Sequence, residues 1–378
     1  MVRTIFFIDN FSAQNCMLQL GVVKPFHLAL CTAVFFITIF LLIIHVAFYL
    51  NKRKRKQELK ERLKIQYSDI IGHIITSESE EELTSVIHAR SGALQQWLTH
   101  TFARKIFIDE LYKATKMVSG DALHNIAWIY GHFNLEKDIN ENLQSKHWNI
   151  VAKSIQRMAA LNQKHLIIRI YRFTNSTNHH IREQAQAAVV KLTGFKGLRF
   201  LDITDKPITK WQQLCLLNEL SFHTGYDETR LKKWLLSPNK SVVAFALMLI
   251  QTYRCYQLHN DVLACMQHTD ISVKEQAIST LTEIAEPSTS SSLINCFYNS
   301  EERIQLEILN ALLFIGSMED VPFLETILQH EQNEFKIAAA KAIKSIRSND
   351  GLEIIKMLVP VSETPWTKIL AQLEEERA

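Results

Sequence analysis

Only a few side chains in this sequence stand where chemistry would need them. His330 and Glu331 form the one His-Glu dipeptide of the chain. A single pair of this kind cannot build a two-metal site. His179 and His180 are adjacent, and two imidazoles can share a metal, but the repeat places no matching carboxylate or cysteine with them. Solvated loop histidines are therefore expected there, and likewise at His223, His259 and His268. Glu219 and Asp227 have the chemistry of acids in a cleft, yet no partner for either can be named. The six cysteines are Cys16, Cys31, Cys215, Cys255, Cys265 and Cys296, with no C-x-x-C spacing among them. Zinc and redox-motif chemistry are not expected, and Cys255 and Cys265 read as isolated core thiols of a reducing compartment. Phosphate-cradling glycine loops, the G-x-S-x-G elbow and H-E-x-x-H are absent from the sequence. The expectation is a protein that is not an enzyme, with no catalytic residue, no metal site and no cofactor.

The elements that would carry any site follow from composition. The 378 residues include 10 glycines and 7 prolines, about 4.5% against a usual total of roughly 12%. So few turn formers cannot punctuate a sandwich or a propeller, and helices joined by short loops are favoured. The net charge of +3 is unevenly spread. Residues 52–64 carry eight basic and two acidic groups, and residues 65–378 sum to −4. The body is mildly acidic behind a short basic collar, which weakens binding to nucleic acid through its phosphates. No nucleic-acid partner is expected.

Leu28 to Leu50 reads LALCTAVFFITIFLLIIHVAFYL, without an acidic or basic group apart from His45. At 1.5 Å per residue it spans roughly 34 Å, enough to cross a hydrocarbon core. Lys52, Arg53, Lys54, Arg55 and Lys56 follow directly. The positive-inside rule then places 51–378 in the cytoplasm and the short segment 1–27 outside the inner membrane. The same collar can attract anionic membrane lipid. Over 51–76 the spacing of Leu59, Leu63, Tyr67, Ile70, Ile71 and Ile74 predicts an amphipathic connector helix, which either continues the span or restarts after it. Ser77 or Ser79, followed by acidic residues, marks the next helix start.

Beyond this the chain repeats. Ile181–Leu192, Trp211–Phe222, Val242–Tyr253, Val273–Ile284, Ile304–Ile315 and Phe335–Ile346 begin 30 or 31 residues apart. Each opens on a large apolar residue. Four residues on stands Ala185, Cys215, Ala246, Ala277, Ile308 or Ala339, and eight on stands Val189, Glu219, Ile250, Leu281, Leu312 or Ile343. These three positions share one helix face. A polar residue stands three before the opener in five of the six: Asn178, Asn239, Asp270, Glu301 and Gln332. Such residues cap helices. Glu219 breaks the pattern in the second unit. Each unit also has an earlier helix, as at Ser288–Tyr298 and Val321–His330, so each is a hairpin that stacks on its neighbours. Ile150, Ser154 and Met158 extend the register backwards, and 351–359 with 366–373 suit a cap. Trp97, Trp128, Trp148, Trp211 and Trp234 are expected to pack in the core.

The large–basic–x–x–small motif after a polar residue, clearest in Asp270, Val273, Lys274 and Ala277, resembles the HEAT repeat. Arg182 and Lys336 hold the same basic position, whereas Gln212, Val243 and Gln305 depart from it. The layout of one span, a basic collar and short repeats resembles a bacterial group of membrane-anchored HEAT-repeat proteins. LYKATKMVSGDALHNIAWIYGHF and LQSKHWNIVAKSIQRMAAL are similar to that group's lead-in segment and first repeat. The resemblance implies a membrane glycosyltransferase or surface-polysaccharide system as the setting. Helical-repeat families also include bilin lyases and alkyl-base DNA glycosylases, and a ligand-responsive signalling adaptor is a further alternative.

The fold expected is all-α: an N-terminal transmembrane helix, then an α-solenoid of HEAT-like hairpins with a period of about 31 residues. Its parts are 1–27, the span 28–50, the collar and connector 51–76, a degenerate helical lead-in 77–149, the repeats 150–350 and a helical cap 351–378. The function expected is a scaffold that binds a protein partner through the second helices of the hairpins. Arg182, Glu183, Lys274, Glu275, Lys336 and Lys344 lie off their apolar stripes and are the candidate contact residues. Lys336, Lys341, Lys344 and Arg347 are read as a solvated basic face.

Overall fold

A computed structural model describes residues 25–222, 225–348, 350–362 and 364–375. The expected outer segment 1–27 lies almost wholly outside the described residues, as do His223 and the chain from 376. No strand occurs among the described residues.

Helix α1 (Pro25–Thr76) runs unbroken for 52 residues. Proline at its start supplies a preset helical φ, and no later proline interrupts it. The expected span, the collar and the connector are thus one helix. Every described side chain from Leu30 to Leu50 is exposed. Towards the other end the helix buries Leu63, Tyr67, Ile70, Ile71 and Ile74. Leu59, expected on the same face, is 49% exposed, because packing begins one turn later.

Three helices close over that buried face: α2 (Glu80–Leu98), α3 (Thr101–Ala114) and α4 (Asp121–His132). The Tyr67 ring lies 4.9 Å from Phe107 and 6.0 Å from Trp97. Burial pushes the Tyr67 phenol up to about 12, so it stays neutral. Ser79 caps α2 by accepting the Glu82 N–H at 3.2 Å. The Asn125 amide donates to the Ile74 and Ser77 carbonyls at 3.1 and 2.9 Å. It thereby satisfies carbonyls that the end of α1 leaves open. This unit is compact through Leu135, and a second begins at Glu136, inside the 77–149 lead-in.

The second unit opens with α5 (Glu136–Leu143) and α6 (Trp148–Ala160). Hairpins follow. Short first elements are α7 (Ile167–Tyr171), the 3-10 segment Gly194–Asp202, α10 (Glu228–Leu235), α12 (His259–Ala264), α14 (Thr289–Phe297) and α16 (Val321–Ile327). Longer second helices are α8 (His179–Thr193), α9 (Lys210–Leu220), α11 (Lys240–Tyr253), α13 (Ile271–Glu283), α15 (Glu302–Ile315) and α17 (Asn333–Arg347). A last pair, α18 (Gly351–Leu358) and α19 (Trp366–Glu375), forms the expected cap. The second helices stack in series: α6 on α8, α8 on α9, α11 on α13, α13 on α15 and α15 on α17. Their shared core is apolar: Ala246, Ala277, Ile308 and Ala339 are fully buried at these contacts. The α9–α11 step is closed by hydrogen bonds. Gln213 donates to the Ser241 carbonyl at 3.0 Å, and the Ser241 hydroxyl accepts the Ile208 N–H at 2.9 Å.

One repeat sits a residue away from its expected register. Trp211 is 75% exposed, whereas Gln212 is 5% exposed. The buried face of α9 is Gln212, Leu216 and Leu220, not Trp211, Cys215 and Glu219. The slip removes both irregularities of that repeat. Thr209, three before Gln212, is its N-cap and accepts the Gln212 N–H at 3.2 Å. Leu220 replaces Glu219 as the eighth-position residue. Trp148, also expected in the core, is 47% exposed.

Candidate interaction surface

The six candidate contact residues occupy the second helices, but none is fully exposed: all are half-buried. Arg182 Nη1 donates to the Ser176 carbonyl at 2.8 Å, which ties the loop before α8 to its own helix. Glu275 on α13 pairs with Arg303 on α15. Lys344 donates to the Leu373 carbonyl of α19, and Lys336 lies 6.0 Å from the Trp366 ring. The basic face read on α17 is therefore partly turned to the cap helix rather than solvated. Half-burial has a physical source: stacking brings the next repeat against these stems, and long charged side chains cover apolar surface with their methylenes.

Along the same face, neighbouring second helices are joined by a polar ladder. Lys240 pairs with Asp270 at 2.6 Å and Arg254 with Glu283 at 2.5 Å, each joining α11 or its C-cap to the α13 hairpin. Gln251 donates to the Ser279 hydroxyl at 3.1 Å and accepts from Gln276 at 2.8 Å. Asp270 also caps α13, accepting the Ser272 N–H at 3.0 Å. The Lys240 hydrogen bond, followed by that from Ser272, lowers its carboxyl to about 2.

Two shallow grooves lie between the rungs. One, of about 280 Å³, is lined by Lys210, Gln213, Ala244, Met248 and Glu275. The other, of about 320 Å³, lies against Gln251, Thr282, Asn310 and Phe314. Apolar side chains stand proud of the second helices: Trp211 and Leu214 one turn apart on α9, at 75% and 53% exposure, and Phe314 on α15 at 76%. The sequence places Trp211 in the core because it is the large apolar residue that opens the second repeat in the 30–31-residue register. The signal that would have placed it outside is Thr209, three residues before Gln212.

The remaining chemistry-bearing residues are dispersed. His179 and His180 lie exposed in the first turn of α8, with His180 stacked on Trp148 at 4.4 Å. His259 is not a solvated loop histidine: it is 2% exposed, and its Nε2 is 2.7 Å from the Thr289 hydroxyl. His268 accepts the Asp270 N–H through Nδ1 at 3.0 Å. Asp227 caps α10 and pairs with Arg230 at 3.2 Å. Burial pushes the Cys255 thiol up and Cys265 to about 11, so both are poor nucleophiles. Among the described residues no three His, Cys, Asp or Glu side chains are grouped as metal ligands. In the first unit the collar residues Lys52, Arg53, Lys54, Arg55 and Lys56 are all exposed. Five consecutive residues exceed one helical turn, so they ring α1 rather than stripe it.

The sequence matches no established family model and no curated protein. Solved structures resemble it only in outline. An engineered protein aligns over 85% of this chain and 96% of its own, at 15% identity and a TM-score of 0.36. Human deoxyhypusine hydroxylase in complex with glycerol aligns over 76% and 98%, at 11% identity and 0.30. Kap121p bound to Nup53p aligns over 81% and 36%, at 13% identity and 0.32. Scores this low assign no activity or partner.

Proposed function

We propose that this chain is a non-catalytic scaffold, anchored in a bacterial inner membrane by one helix and binding a protein partner through its second helices. The observation that carries the reading is an exposed apolar helix joined to a stacked repeat body. The 18-residue apolar window of α1 has a mean hydropathy of 2.7 and is 0% buried. Apolar surface on this scale needs a hydrophobic environment, and the charged ring at 52–56 stops the helix from sliding through a bilayer. The ring and the anionic headgroups it attracts hold the repeat body on the cytoplasmic side.

Partner binding uses the face built by α9, α11, α13 and α15. Trp211, Leu214 and Phe314 supply apolar anchors, and Lys274 and Glu275 supply the polar rim. Aromatic anchors ringed by polar groups are the usual composition of a protein contact. A membrane glycosyltransferase or surface-polysaccharide assembly protein is the proposed partner, on the layout of span, collar and repeats. Photo-cross-linking from position 310, exposed one turn from Phe314 on α15, in intact membranes, followed by identification of the captured chain, tests this. The expected product is a membrane glycosyltransferase or its assembly partner, lost on Trp211→Ala with Leu214→Ser. Capture unchanged by that double variant removes the surface from consideration. Turnover of a substrate by the purified chain would overturn the non-catalytic reading.

A further inference from the structure

The second hairpin departs from its neighbours in having 3-10 geometry, Gly194–Asp202, where they have an α-helix. A 3-10 helix repeats every three residues, so Lys196, Arg199 and Asp202 lie along one edge. Asp202 is fully engaged. Arg230 Nη1 donates to it at 2.9 Å, Trp234 Nε1 at 2.9 Å, and Lys233 Nζ lies 3.2 Å away. Burial raises its carboxyl, but the Trp234 and Lys233 hydrogen bonds and the Arg230 charge outweigh that and hold it below the usual range. Lys196 and Arg199 are different. Both are exposed, and neither has an ion-pair partner among the described residues.

These two cations border a cavity of about 540 Å³ whose lining also includes Ile167, Ile168, Tyr171, Val189, Ile203 and Asp202, the last with its carboxylate already matched by Arg230 and Lys233. That volume falls within the roughly 300–1,000 Å³ of small-molecule sites. Ile168 and Ile203 are 72% and 59% exposed, although each is a large apolar side chain. Uncovered apolar surface gains from being taken out of water, and the two free cations beside it can hold an oxyanion, so one ligand type uses both. The frame is preformed. Gly194 takes φ +62°, and a Cβ at Gly197 would stand 2.5 Å from the Val189 carbonyl oxygen. Only glycine at 197 lets the 3-10 segment press against α8. A larger adjoining cavity of about 940 Å³ shares Lys196 and Arg199, but Asp227 and Glu228 in its wall disfavour an anion.

We propose that the apolar cavity binds a small amphiphilic anion: a phosphate or carboxylate group held by Lys196 and Arg199, with an apolar body against Ile168, Tyr171 and Ile203. The bidentate guanidinium of Arg199 suits either oxyanion, and the Lys196 ammonium adds a second charge-assisted hydrogen bond.

The test titrates the full-length chain in phosphatidylcholine nanodiscs with 1-naphthyl phosphate, and separately with 1-naphthol and with inorganic phosphate. The expected result is saturable binding of 1-naphthyl phosphate at least tenfold tighter than either half of the molecule. Lys196→Gln with Arg199→Gln should weaken it tenfold or more, with an unchanged melting profile. Ile168→Glu, at an exposed position, should do the same by adding a charge to the apolar wall. Phosphatidic acid in the same discs distinguishes the source: displacement of the probe points to a lipid, and retention to a soluble anion. Equal binding by the wild-type chain and both variants, or no saturable binding at millimolar probe, overturns the proposal.

Discussion

Gln212 on α9 donates its side-chain amide to the Gln186 side-chain oxygen on α8, and Gln186 donates in turn to the Thr174 carbonyl at 2.8 Å. Both glutamines are buried, at 5% and 1% exposure. A polar pair thus occupies two core positions, the opener of α9 and the residue five after the opener of α8, where α11, α13, α15 and α17 carry apolar residues. Gln186→Leu would leave the Gln212 amide and the Thr174 carbonyl without their buried partner, at about 1–3 kcal/mol. Thermal unfolding followed by circular dichroism should register this loss. Trp211→Ala, one residue from Gln212 but exposed, should stay within about 0.5 kcal/mol. The reverse ranking would show that the register begins at Trp211.

Ala277 has no exposed surface and lies where α13 packs between α11 and α15. Phenylalanine there has to displace a helix or take a strained rotamer, at about 1–3 kcal/mol. A melting temperature equal to wild type would contradict the close approach of these helices. Ala246→Phe and Ala339→Phe should behave alike, since both positions are fully buried.

Asp270 has a folded pKa of about 2, below its unfolded value, so its contribution is present above about pH 4. It is lost as the pH falls through the folded value. Asp270→Asn keeps a good helix cap but removes the charge for Lys240. This variant should flatten the acid dependence of stability between about pH 4 and pH 2, with little change at pH 7, since an exposed pair contributes about 1 kcal/mol or less. Asp270→Ala also removes the cap, and should lose about 1 kcal/mol at pH 7. Urea midpoints across this pH range separate the two effects.

In the proposed topology the ring of Lys52, Arg53, Lys54, Arg55 and Lys56 lies on the cytoplasmic side of α1, so alkaline phosphatase fused after residue 378 should be inactive in intact cells. Replacing all five by glutamine should give a mixed population with measurable periplasmic activity. Full activity of the unmodified fusion would reverse the proposed orientation.

The features legible in the sequence are those set by neighbours a few residues away. The apolar run at 28–50 shows in composition alone. The 31-residue period shows because a cap, an opener three residues on and core positions at four and eight residues beyond it are all fixed by helix geometry. Those local rules placed α11, α13, α15 and α17 and the buried alanines between them. They failed at α9, where Trp211 outweighed Gln212 on hydropathy. A buried glutamine is stable only with a partner, and its partner Gln186 stands 26 residues away on another helix. The same holds for the charged candidates. Arg182, Glu275, Lys336 and Lys344 lie off their own helical stripes, as the spacing indicates. Whether such a residue meets water depends on the loop, repeat or cap that stacking brings against it, as Arg303 meets Glu275 and Trp366 meets Lys336. Tertiary structure also decided the 3-10 segment Gly194–Asp202, whose close approach to α8 requires Gly197. Helix periodicity sorts residues around one axis, and only packing decides which parts of that surface another element covers.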